Sequence, residues 1–169
     1  MLENPPRSGL PDEQWCDAAQ SLWQAIHSGD WAKAVRIVLD APSGKWREDL
    51  INLREHGMTP LIWLVRSCLR PTNQLNDRLD LIRTLLKAGA ARNAKDQRHG
   101  MTALHYAAAH PHLGITRMLL DYGATVNLED SRGLKPRDTA EYMKTWLMNN
   151  DAGYDRMIEY LDSKTPTGA

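Results

Sequence analysis

The chain has 169 residues and a mass of 19.1 kDa, room for one domain or at most two very small ones. Its 21 Lys and Arg balance 21 Asp and Glu, which argues against a uniformly basic nucleic-acid module and against an acidic solvating tail. Hydrophobic residues at 42% and charged residues at 25% suit a chain that buries a core, and two cysteines are too few for a disulfide scaffold and fit a reducing compartment.

Residues 1–11 contain Pro, Ser and Gly, have no apolar run of signal-peptide type, and are expected to be a flexible N-terminus. Trp15, Ala19, Leu22 and Ile26 lie at helical spacing, as do Trp31, Ala34, Val35 and Val38, with a turn at Ser28-Gly29-Asp30 between them. Ala41 to Ile51 reads as a long polar connection, in which Trp46 either folds back or meets a partner. The apolar run Leu61 to Val65 is far short of the roughly 18 residues of a membrane span, and the cytoplasm is the expected location. An insertion, Leu69 to Arg78, separates two helices and is a candidate contact loop. A last helix is expected around Tyr154 to Leu161, followed by a flexible end at 164–169.

The chain repeats itself. His56-Gly57-Met58-Thr59-Pro60-Leu61 aligns with His99-Gly100-Met101-Thr102-Ala103-Leu104 and with Arg132-Gly133-Leu134-Lys135-Pro136-Arg137, at glycine spacings of 43 and 33. Leu85-Leu86-Lys87-Ala88-Gly89-Ala90 aligns with Leu119-Leu120-Asp121-Tyr122-Gly123-Ala124 at a spacing of 34. Asn-x-x-Asp/Glu recurs at Asn52/Glu55, Asn93/Asp96 and Asn127/Asp130. A period near 33 with two apolar segments per unit implies stacked helical hairpins, each too small to fold alone. Thr59 and Thr102 are placed as N-caps, Pro60 and Pro136 in first helical turns, and Gly89 and Gly123 at helix C-termini.

These residues resemble the ankyrin repeat, best from Gly100 to Asn127, with Pro111 replacing the usual inter-helix Gly and Ile62 replacing a His. The resemblance implies an all-α solenoid of helix-turn-helix units with projecting turns, in about four repeats near 12–56, 57–99, 100–132 and 133–163. The outer two are atypical capping units. It also makes His105 a structural histidine that bonds loop backbone.

Catalytic and metal chemistry find little support. His99, His105, His110 and His112 cluster in sequence, but His105 and His110 are five apart and no His-Glu-x-x-His pattern completes a zinc site. No phosphate loop or nucleophile elbow occurs, and Cys16 and Cys68 read as reduced core thiols. The chain is therefore expected to be no enzyme and to need no metal or cofactor.

The resemblance implies binding through the projecting turns and the exposed side of each first helix. From the turns it singles out Met58, Arg98, His99, Met101 and Leu134; from the first helices Trp63, Arg66, Tyr106, Ala109, His110, Thr139 and Tyr142. Trp63 and Tyr106 share a repeat position and are expected side by side, flanked by Arg66 and Arg98 as in an interface hot spot. Trp63 has a competing reading as an inward-packed residue, while Trp15, Trp23 and Trp31 read as core. Charge is uneven: residues 1–56 hold 6 basic and 9 acidic groups, 57–132 hold 10 and 6, and 133–169 hold 5 and 6. The basic centre points to an acidic protein partner, with nucleic acid a weaker alternative, no membrane contact and a monomeric chain. The expected function is binding and occluding a partner protein, as an inhibitor or immunity-type protein does. The alternative is a scaffold, host-directed effector or regulatory subunit docking a larger assembly.

Overall fold

A computed structural model describes residues 12–68, 75–147 and 152–165. Those residues are all-α. In chain order the helices are α1 (Asp12–Ser28), α2 (Trp31–Asp40), α3 (Lys45–Asn52), α4 (Pro60–Ser67), α5 (Leu75–Lys87), α6 (Ala103–Ala109), α7 (Leu113–Asp121), α8 (Pro136–Trp146) and α9 (Ala152–Lys164). The chain divides into two compact units, between Ala91 and Arg92.

In the first unit α1 pairs with α2 and α4 with α5, while α2 and α5 also pack on each other. The Asp30 carboxylate starts α2 by accepting the Lys33 N–H at 3.0 Å. Trp15, Ala19, Leu22, Trp23 and Ile26 of α1 and Trp31, Ala34 and Val38 of α2 are buried, following the helical spacing of the sequence. Full burial of a side chain such as Leu22 or Ile26 contributes about 1.5–3 kcal/mol. Thr59 caps α4 through the Ile62 N–H at 3.4 Å, with Pro60 in the first turn. Leu81, Ile82, Leu85 and Leu86 form the buried side of α5, and Gly89, two residues past its end, turns the chain away with φ +95°.

Two expectations for this unit need correction. The segment read as a connection contains α3, which buries Leu50 and Ile51 against α1 and α4 and leaves Trp46 half-buried on the helix. Its helical signal is short: Lys45 and Asp49 pair at 2.7 Å one turn apart. Arg47 then secures α3 to the end of α2, donating to the backbone carbonyls of Leu39 at 3.1 Å and Ala41 at 2.9 Å. Cys16 is exposed rather than in the core, because the buried stripe of α1 runs through Trp15 and Ala19 and leaves position 16 outside it; Cys68 is buried. Of the insertion, residues 69–74 lie outside the described residues, and Leu75 to Arg78 form the first turn of α5.

In the second unit α6 pairs with α7 and α8 with α9, and α6 packs along α8. Ala103, Ala107, Ala108 and Ala140 are fully buried where these first helices meet, and their small side chains permit that close approach. A core of Ala108, Ala140, Tyr154, Met157 and Leu161 ties α6, α8 and α9 together, with Leu113, Leu120 and Met143 packed around it. The Tyr154 hydroxyl donates to the Ala109 carbonyl at 3.0 Å, satisfying its buried oxygen. The last helix includes the expected segment and continues to Lys164, a residue read from sequence as part of the flexible end. Residues 1–11 and 166–169 lie outside the described residues.

Candidate protein-binding surface

The Asn-x-x-Asp element builds the turns. Asp96 Oδ1 accepts the backbone N–H groups of Arg98 at 2.7 Å and His99 at 2.6 Å, and Oδ2 accepts the Tyr106 hydroxyl at 2.9 Å. Asp130 repeats the arrangement one unit later, accepting from the Arg132 N–H at 2.8 Å and the Leu134 N–H at 3.0 Å. Burial works to raise the Asp130 carboxyl, but the Leu134 and Arg132 donors outweigh it and hold it below 3.8. The asparagine of the element reaches the following repeat: Asn52 Oδ1 accepts the Ala91 N–H at 2.7 Å, and Asn93 Oδ1 the Thr125 N–H at 2.9 Å. The Ser131 N–H donates to the His99 carbonyl at 2.9 Å, joining adjacent turns.

His105 locks the second-unit turns from below. It is fully buried, its Nδ1 accepts the Thr102 N–H at 3.1 Å, and Nε2 carries the proton donated to the Leu134 carbonyl at 3.0 Å. Burial pushes the imidazole below 6.5 although the Leu134 carbonyl favours the cation.

In the first unit the third turn-forming acid is Glu55, and its longer side chain makes a different contact. Its backbone pairs with Met58 in a short antiparallel bridge, while Oε2 stands 3.2 Å from His27 Nε2. His27 lies between Trp23, with ring centroids 5.6 Å apart, and Trp63, at 5.3 Å in an edge-on arrangement. Trp63 is thus half-buried against α1, between the two readings of the sequence. Arg66 is exposed, with Nη1 3.6 Å from the half-buried Met58 sulfur, so Met58, Trp63 and Arg66 occur together around α4.

In the second unit the expected residues separate into exposed and packed. Arg98, His99, His110 and Tyr142 are exposed, and Leu134 is half-buried with its carbonyl engaged by His105. Met101 and Tyr106 are buried, Tyr106 with its hydroxyl held by Asp96, so neither is an open contact position. Ala109 and Thr139 are buried as well; the Thr139 hydroxyl donates to the Lys135 carbonyl at 3.1 Å. The aromatic surface expected from Trp63 with Tyr106 is therefore not available from Tyr106. Exposed aromatic area lies instead on α8: Tyr142 is 48% exposed, Trp146 66% and the adjoining Leu147 43%. The Arg132 guanidinium stands 5.3 Å from the Tyr142 ring centroid. Trp146, Leu147 and Arg132 were not singled out by the sequence reading, although Trp146 follows Tyr142 by one helical turn.

Among the described residues no three His, Cys, Asp or Glu side chains converge as a metal site would require. Among those residues also, no helix is long and apolar enough to cross a membrane.

Residues 85–140, spanning the Asp96 and Asp130 turns and His105, match the family model described as ankyrin repeats (many copies). That stretch, about a third of the chain, is similar to ankyrin repeats. Over 57 residues, 34% of its length, it is 39% identical to E3 ubiquitin-protein ligase KEG of Arabidopsis thaliana. Over 123 residues, 71% of its length, it is 29% identical to Ankyrin repeat domain-containing protein SOWAHB of Homo sapiens. The matched regions cover only 4% and 14% of those relatives. Ankyrin repeats are a protein–protein interaction module, and the Asp96 and Asp130 turns of the second unit lie within the matched stretch.

Proposed function

We propose that this chain is a non-catalytic binding protein that acts by covering a surface of an acidic partner protein, as an inhibitor or immunity-type protein does. One observation carries the reading: Tyr142, Trp146 and Leu147 are exposed together at the end of α8, with Arg132 stacked on Tyr142. Tyr, Trp and Arg are the residues most enriched among interface hot spots, and an exposed Trp of this kind gains most from being desolvated by a partner. Arg98 in the neighbouring turn, with Arg132, which also pairs with Asp130 at 3.2 Å, supplies guanidinium donors that suit acidic side chains. Met58, Trp63 and Arg66 form a second, smaller contact group in the first unit. His110 at the end of α6 is a further exposed polar contact. The repeats are proposed as about 12–56, 57–99, 100–132 and 133–163, in a monomeric chain working in the cytoplasm.

The small share of KEG and SOWAHB that matches supports a second reading, in which the repeats dock a larger assembly as a scaffold or regulatory subunit. Affinity capture from native lysate with wild type and with Tyr142→Ala/Trp146→Ala tests the proposal. The captured protein is expected to bind the variant at least about tenfold more weakly, with unchanged helicity by circular dichroism, and to lose its own activity when bound by wild type. Equal binding by the variant refutes the assigned face. A bound partner that keeps full activity refutes occlusion and favours docking.

A further inference from the structure

The first unit contains an open groove of about 530 Å³ between α2 and α5, lined by Gly29, Trp31, Ala32, Val35, Arg36, Leu39, Asp77 and Asp80 among others. Helix α2 explains its apolar floor. The core uses Trp31, Ala34 and Val38, but a second apolar row, Ala32, Val35 and Leu39, runs beside it one residue further on. An amphipathic helix needs one such stripe, and here the second faces the groove. Leu39 is 59% exposed there, although its carbonyl is held by Arg47 and its backbone is fixed.

The opposite wall is acidic. Asp77 and Asp80 lie one turn apart on α5 and both line the groove. Asp77 has no ion-pair or hydrogen-bond partner among the described residues. Asp80 pairs with Arg83 at 2.7 Å, but both side chains are exposed, so an incoming cation can exchange for that partner at little loss. Arg78, which separates the two acids, is turned away: its guanidinium stacks 4.9 Å from the Trp31 ring centroid, and Nη1 donates to the Ser67 carbonyl at 2.7 Å. The lining carries Asp30, Asp77 and Asp80 against Arg36, so an apolar floor beside a net negative wall favours an apolar side chain neighboured by a cation.

We propose that the α2–α5 groove is a second docking site, taking an amphipathic segment of a protein partner that lays an apolar side chain over Val35 and Leu39 and a lysine or arginine against Asp77 and Asp80. The site opposes in charge the face proposed on the second unit, so one chain can hold two segments of opposite sign.

The test is amide chemical-shift mapping of the full chain with a short leucine–lysine amphipathic peptide, its leucine–glutamate counterpart and its serine–lysine counterpart. The leucine–lysine peptide is expected to shift the amides of Ala32, Arg36, Leu39, Asp77 and Asp80 saturably, and the other two are not. Leu39→Ser and Asp77→Lys, both at exposed positions, are expected to weaken binding at least about tenfold, whereas Tyr142→Ala/Trp146→Ala leaves it unchanged. No shift up to about 1 mM peptide, equal binding of the glutamate peptide, or shifts outside the groove overturns the proposal. Self-association abolished by Leu39→Ser assigns the groove to a second copy of the chain and overturns it as well.

Discussion

Replacing His105 with Ala removes the group that joins two turns of the second unit. The variant leaves the Thr102 N–H without Nδ1 and the Leu134 carbonyl without the Nε2 proton, in a position that is fully buried in the native chain. The Leu134 carbonyl keeps the Asp130 N–H at 2.8 Å, so one buried group, the Thr102 N–H, is left unpaired at about 1–3 kcal/mol, and with the lost ring volume the total is roughly 2–4 kcal/mol. That is a large share of the 5–15 kcal/mol typical of a folded domain, roughly. Urea unfolding followed by circular dichroism measures it. The histidine also gives the stability a pH signature. The fold keeps the imidazole neutral by burial, while the unfolded chain takes up a proton near 6.5. Stability is therefore complete above that pH and falls as the pH drops below it, by up to about 1.4 kcal/mol per pH unit for this one group. Burial pushes His110 and His112 in the same direction. His105→Ala is expected to reduce the slope between pH 6.5 and 5, and the starting value is the ordinary one for histidine. A loss under about 1 kcal/mol, or an unchanged slope, refutes the assigned hydrogen bonds and tautomer.

Gly100→Ala is expected to destabilise by at least about 2 kcal/mol in the same assay, because φ is +65° and an added Cβ would lie 2.9 Å from the Ser131 backbone nitrogen. Asn93→Ala removes the acceptor of the Thr125 N–H at an exposed position, and a loss of about 1 kcal/mol is expected by thermal melting. A thiol reagent is expected to label Cys16 rapidly in the native chain and Cys68 only on unfolding, since Cys68 is buried and burial pushes its thiol up against the opposing influence of Arg78. Two equally fast thiols would contradict the placement of α1 and α4.

The repeat was legible because its residues act locally. Thr59, Thr102 and Asp96 bond backbone within a few residues of themselves, so their spacing alone announces caps and turns. Burial on the first helices was not legible in that way. Tyr106 occupies a position open in the family pattern, and only the fold brings Asp96 to its hydroxyl. The helix at Lys45–Asn52 was hidden by its composition, since a short polar helix needs only Leu50 and Ile51 to anchor it. Glu55 was read as equivalent to Asp96 and Asp130, yet one extra methylene takes its carboxylate to His27. Trp146 carried a signal that went unused, a second aromatic one turn beyond Tyr142.

The absence of Phe and the placement of the six Trp give the chain an optical asymmetry. Trp15, Trp23, Trp31, Trp46 and Trp63 all belong to the first unit, and Trp146 is the sole indole of the second. Trp146 is 66% exposed while Trp15, Trp23 and Trp31 are nearly sealed from water. Red-edge emission and iodide quenching should therefore report chiefly on α8. Occupancy of the face around Tyr142 can be followed there as a blue shift and a loss of quenching, without a label and without altering a residue.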